Sequence, residues 1–182
     1  MKNKIGQIWI ETVLYTLIGL AVIGLVLAFA TPRIKSAQEK VLVEQSIEIM
    51  NKLDQVITQV QDRGIGNVKS YTFTIKRGRL VIDSNNNEIK LILEGLDSEY
   101  SEPNTPIEEG RVKLLTEVGA NSNSVTLTLD YRLSGTDIRY EQQNDLYEFN
   151  QAPTPYTFFV RTLELNDGGE SKMIISIDQG LS

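Results

Sequence analysis

The first candidate for chemistry is Glu11, the one charged residue inside Ile8–Ala30, an apolar run of 23 residues. A carboxylate in such a segment costs about 2.5–3.5 kcal/mol at the centre of a bilayer and less toward its edge. Glu11 therefore calls for a cationic partner. The second candidate is the set Asp83, Asn85, Asn87 and Glu94, which stand at the first, third, fifth and twelfth positions of a calcium-loop spacing. Glu88 occupies the position where that loop requires Gly, and the flanks read as strands rather than helices. The stretch reads first as a hairpin turn, with calcium as the weaker alternative; no other metal site is predicted. The chain contains no His and no Cys. The commonest general base, the commonest zinc ligand, thiol chemistry and disulfides are thereby excluded. No Ser or Thr has a His to activate it, and no Gly-rich phosphate loop occurs. No catalytic residue and no cofactor are predicted, so the chain does not read as an enzyme. With 18 basic and 24 acidic residues, a net charge of −6, it has no support for a nucleic-acid partner.

The element that must position Glu11 is a helix. A helix over Ile8–Ala30 would span about 34 Å, enough for a hydrocarbon core of about 30 Å. Lys2 and Lys4 form a short basic segment before it. A cut after Gly6 would make Gln7 the new N-terminus, and its ammonium would lie one helical turn before Glu11, a favourable spacing for a charge pair. Two plainer readings stand beside this one. Ala28-Phe29-Ala30 fits a secretory cleavage pattern, although Thr12–Ala30 is longer than the usual apolar core of about 7–15 residues. Alternatively, the segment is a simple membrane anchor with Glu11 near the headgroups. Flanking charge does not choose an orientation, because Lys2 and Lys4 on one side face Arg33, Lys35 and Lys40 on the other.

Lys2, Lys4, Gly6 and Glu11 together resemble the class III leader of type IV pilins: a short basic leader, a small residue at the cut, and Glu as the fifth mature residue of an apolar helix. The stretch from Gln7 to Glu11 is also similar to an archaeal pilin pattern, with Gln7 and Glu11 matching and Trp9 and Tyr15 standing where that pattern has Ser and Leu. The resemblance covers about the first 60 residues. It implies processing after Gly6 by a prepilin peptidase, with residues 1–6 as the leader peptide. It also implies polymerisation through the helix with other pilin subunits, aided by the pilus assembly machinery. The head would face outward from a membrane crossed once.

The helix is expected to run on past the membrane. Pro32 reads as a bend in it. Beyond Pro32, the residues Ile34, Ala37, Val41, Ile47, Met50, Leu53, Val56, Ile57 and Val60 recur at helical spacing, with Lys35, Glu39, Glu48, Lys52, Gln55 and Gln59 on the other face. Gly64 and Gly66 end it. The expected organisation is a membrane segment over 7–30, its amphipathic continuation over 31–63 and a β-rich head over 64–182. From Thr31 onward there are 16 basic and 23 acidic residues, so that part is acidic.

Within the head the period changes to two. Strands are expected over Val68–Ile75, Arg79–Asp83, Glu88–Glu94, Arg111–Glu117, Ser124–Arg132, Tyr156–Leu165 and Ser171–Asp178, with a tight turn at Asn166–Gly169. Ser98–Gly110 and Gln142–Pro155 read as surface loops, and Glu99, Glu102, Glu108 and Glu109 as a solvated acidic patch. Tyr71, Phe73, Phe158 and Phe159 read mostly as core. The fold class is α+β: a long N-terminal transmembrane and amphipathic helix followed by an antiparallel sheet or sandwich. Three functions fit: a structural pilin, a minor pilin or secretion pseudopilin, and a membrane-anchored binding domain that does not polymerise.

Overall fold

A computed structural model describes the backbone of residues 4–134, 137–167 and 170–180, and the side chains of 9–134, 137–164 and 173–180. One helix, α1, spans Lys4–Arg63 and passes through Pro32 without interruption. By internal contacts the chain divides into a unit ending at Glu39 and a second unit from Lys40 to Ser182. The first unit is helix alone. Its apolar stretch has a mean hydropathy of 2.6, none of it is buried, and it is long and apolar enough to cross a membrane.

Among the described residues the second unit holds the rest of α1 and ten strands: β1 (Val68–Phe73), β2 (Arg79–Asp83), β3 (Glu88–Leu96), β4 (Ile107–Glu109), β5 (Val112–Val118), β6 (Asn123–Asp130), β7 (Asp137–Tyr140), β8 (Leu146–Asn150), β9 (Tyr156–Asp167) and β10 (Glu170–Gln179). They form a four-stranded sheet of order β1-β9-β10-β7 and a six-stranded sheet of order β4-β5-β6-β3-β2-β8. Every pairing is antiparallel except β7 with β10, which is parallel. The α+β class with an antiparallel-rich head is thus observed.

The helical stripe in this unit is Val43, Ile47, Met50, Leu53, Ile57 and Val60, all buried in one core with the inner faces of both sheets. Each such side chain contributes about 1.5–3 kcal/mol of burial. Val41, expected in that stripe, is 48% exposed, and Val43 takes its place. Ile34 and Ala37 are exposed too, whereas Glu39, expected on the polar face, is buried. The helix ends where Gly64 adopts a φ of +78°, with its amide bonded to the Gln61 carbonyl and the Asn67 side chain donating to the carbonyls of Arg63 and Gly64.

Two segments expected to be loops contain strands. β4 lies in Ser98–Gly110 and β8 in Gln142–Pro155, while β7 occupies a stretch where the sequence pattern predicts no strand. β4 and β8 are short and lie at the two edges of the larger sheet. Each has a single neighbour to pair with, so little apolar patterning is needed. In β8 only Phe149 is buried. It packs edge-on against Tyr140, Tyr156 and Phe158. Phe73 and Phe158 are core as expected, but Phe159 points outward and is 40% exposed.

Candidate functional site

Glu11 lies in α1 and is exposed, among equally exposed Trp9, Ile10, Leu14 and Tyr15. Residues four apart on a helix share a face. The backbone therefore brings Gln7 and Glu11 to the same side of α1. Gly6 and Gln7 are helical, but their side chains, like Lys2 and the rest of the N-terminal tip, lie outside the described residues. Two hydroxyls in and beside the apolar run are satisfied locally: Thr16 donates to the Thr12 carbonyl at 2.8 Å, and Thr31, just past the run, to the Leu27 carbonyl at 2.7 Å. Such back-bonding lets a hydroxyl sit in an apolar setting without an outside partner. A carboxylate has no equivalent, since it can only accept. Glu11 is consequently the charged group in this stretch whose polarity must be met from elsewhere.

The continuation of α1 is fixed to the sheets by polar bonds as well as by its apolar stripe. The Tyr131 hydroxyl donates to the Asp54 carboxylate at 2.8 Å. Arg111 stands 3.6 Å from the same oxygen and lies over the Tyr131 ring, 5.4 Å from its centre. Burial first, and the Asp54 charge second, push the Tyr131 phenol far above its ordinary range. It therefore stays a donor throughout the physiological range. Tyr71 donates to the Ile49 carbonyl at 3.0 Å, and burial, with Glu48 nearby, raises its phenol to about 12. The Thr162 hydroxyl donates to the Val60 carbonyl at 3.0 Å, and the Asn51 amide to the Glu109 carbonyl at 3.3 Å. These contacts set the rotation and depth of the helix in the head. None of them was legible in the sequence, because each joins residues far apart in the chain.

The calcium-like residues do not converge. Asp83 accepts two hydrogen bonds from Asn86 in the β2–β3 turn, through the backbone amide at 3.1 Å and the side-chain amide at 2.7 Å. Asn87, at a φ of +53°, joins the hairpin to β7: its side chain donates to Asp137 at 3.2 Å and accepts from the Ile138 amide at 2.9 Å. Asn85 is exposed on the same turn. Glu94 lies toward the other end of β3, paired with Arg79 at 2.7 Å. The spacing reflects a hairpin, in which the twelfth position is carried away along a strand rather than folded back as in a calcium loop. Among the described residues, no group of three or more acidic side chains could hold a metal ion. Glu99, Glu102, Glu108 and Glu109 are all exposed.

Comparison with protein-family models, with curated proteins and with solved structures found no match to the chain.

Proposed function

We propose that the chain is a pilin-like subunit of a surface filament, cut after Gly6 by a prepilin peptidase and assembled through its N-terminal helix. The observation that carries this reading is the setting of Glu11: a lone carboxylate in an exposed apolar helix, one turn beyond a residue that processing would turn into an ammonium. In a bilayer or a filament core that ammonium, from the same or a neighbouring copy, offsets the cost of the buried carboxylate. The apolar run meets lipid before assembly and other copies afterwards. The acidic head then coats the outside, presented by the helix that runs into its core. Membrane lipid, the peptidase, other pilin subunits and the assembly machinery are the partners implied. A minor pilin or pseudopilin would share every one of these features, so the proposal extends to that class.

The experiment is mass determination of the mature chain from membrane and filament fractions. A chain beginning at Gln7 is expected. A start at Thr31 would make it a secreted domain, and an intact Met1 a plain anchor; either result sinks the proposal.

A further inference from the structure

Residues 40–63 of α1 lie between two free sheet edges. At one side of the head the sheets meet, where the rings of Tyr140 in β7 and Tyr147 in β8 are 4.4 Å apart between centres. On the other side the sheets end in β1 and β4. Both of these reach α1. The Tyr71 hydroxyl of β1 donates to the Ile49 carbonyl at 3.0 Å, and the Glu109 carbonyl of β4 accepts from the Asn51 side chain at 3.3 Å.

The two edges carry opposite charge. On the β1 side Lys69 donates to the Gln59 side-chain oxygen, and Lys76 to that of Gln45 at 2.8 Å. Gln45 and Gln59 are separated by about four helical turns, roughly 21 Å, and so share one side of α1. Each is a neutral amide, which orients its ammonium without cancelling the charge. On the β4 side stand Glu44 of α1, Glu109 of β4, and Glu99 and Glu102 in the loop before β4, all exposed. Tyr100 links them: burial first, then the charges of Glu44 and Glu109, raise its phenol. Among the described residues none of these four carboxylates forms an ion pair. Glu108 differs, since it faces Lys113 across the β4–β5 ladder. Glu44 and Gln45 are neighbours in sequence, about 100° apart around α1, which puts the two charges on opposite flanks of its exposed face. Between the flanks Glu48 and Lys52 neutralise one another at 2.6 Å.

We propose that these flanks are the two halves of a contact between copies of this chain, with Lys69 and Lys76 of one copy set against Glu44, Glu99, Glu102 and Glu109 of the next. The partner follows from complementarity. The head holds two cations at neutral anchors on one side of the helix, and its own unpaired carboxylates stand on the other. Copies placed side by side with parallel helices bring unlike flanks together. The contact is then heterologous and repeats from copy to copy. Complementary charge of this kind fixes register and excludes wrong partners more than it adds affinity. The inference rests on the filament reading, which supplies the side-by-side arrangement.

The test is charge reversal in the full chain, read as filament recovery. Lys69→Glu with Lys76→Glu should cut recovery about tenfold, and so should Glu99→Lys with Glu102→Lys, because like charge then meets like. All four changes together restore complementarity and should restore recovery. Lys69→Gln with Lys76→Gln, which removes charge without reversing it, should give a smaller loss. In every variant the chain should still begin at Gln7 and the head should unfold at its usual midpoint. Processed, folded chains that form filaments equally well with either pair reversed would overturn the inference and leave the filament reading standing; charges that only keep the free sheet edges from pairing would behave in this way. A fourfold variant that recovers no better than either pair overturns it as well. An unprocessed parent chain without filaments removes the filament reading and the inference with it.

Discussion

The hydroxyl of Tyr131 donates to the carboxylate of Asp54 across 77 residues of chain, 2.8 Å apart and buried. Asp54 sits in the helix and Tyr131 just past β6, so this one bond fixes how the helix meets the larger sheet. Replacing Tyr131 by Phe would leave the ring in place and remove the donor. A buried acceptor without its donor costs about 1–3 kcal/mol. Denaturant unfolding of Tyr131→Phe should show a loss of that size. An unchanged midpoint would mean that water or Arg111 satisfies Asp54 instead.

The apolar stripe makes a larger prediction. Met50 and Leu53 have no exposed surface. Truncating either to Ala removes packing within the core that the helix shares with the sheets and leaves a cavity, at about 2–5 kcal/mol. By contrast, Ile34→Ala and Val41→Ala should change head stability by less than about 0.5 kcal/mol, since both side chains are about half exposed. Thermal unfolding of the four variants should separate them into these two groups.

Gly78 cannot be replaced without moving the backbone. Its φ is +80°, and a Cβ there would lie 1.8 Å from the Ile92 carbonyl oxygen. Gly78→Ala should destabilise the head by more than about 1 kcal/mol, through both strain and clash. The same substitution also perturbs the contact between the β1–β2 and β8–β9 connections, because the Gly78 carbonyl accepts from the Gln151 amide. Gly95, whose added Cβ would meet nothing, gives the comparison for strain alone.

Asp130 and Arg132 give a pH-dependent prediction. The Arg132 side chain donates to Asp130, and this bond first, then a backbone bond and nearby positive charge, hold the carboxyl down at about 2. A carboxylate with a depressed pKa adds stability above its unfolded value of about 3.9, and that gain is lost as the pH falls through its folded value. The Asp130 side chain is 37% exposed, so solvent screening keeps the effect small. The resonance of Asp130 should titrate near 2 in the native chain and move up toward the ordinary range in Arg132→Gln. A midpoint unaffected by that change would show that the ion pair does not form in solution.

Glu11→Ala should leave membrane insertion intact, since it removes a charge from an apolar segment, but reduce recovery of filaments. Fractionation and microscopy of the variant check both halves. Normal filaments would remove the charge-pairing role while leaving processing at Gly6 to be judged by the mature mass.

Much of the head's strand pattern was legible in the sequence because alternation reports which side of a strand is buried. β5 and β6 alternate along most of their length, β1, β2, β3, β9 and β10 are rich in β-branched, aromatic and aliphatic residues, and all seven lie within a few positions of the expected strands. β4, β7 and β8 are three to five residues long, too short for a period to show. The calcium-like spacing falls on the β2–β3 hairpin, the first reading of that stretch. Spacing counts residues, but a strand carries Glu94 away from Asp83 where a calcium loop would curl back.

The N-terminal half of α1 needed no tertiary information. Its helix follows from length, unbroken apolarity and helical propensity, which act on neighbours in sequence, and the exceptional character of Glu11 follows from the same local contrast. Tertiary structure alone decided the rest: the parallel pairing of β7 with β10, the choice of Val43 over Val41 for the core, the Asp54–Tyr131 bond, and the anchoring of Lys69 and Lys76 along one side of α1. Each depends on residues brought together from distant parts of the chain, where the geometry of packing, not the local pattern, determines which groups meet.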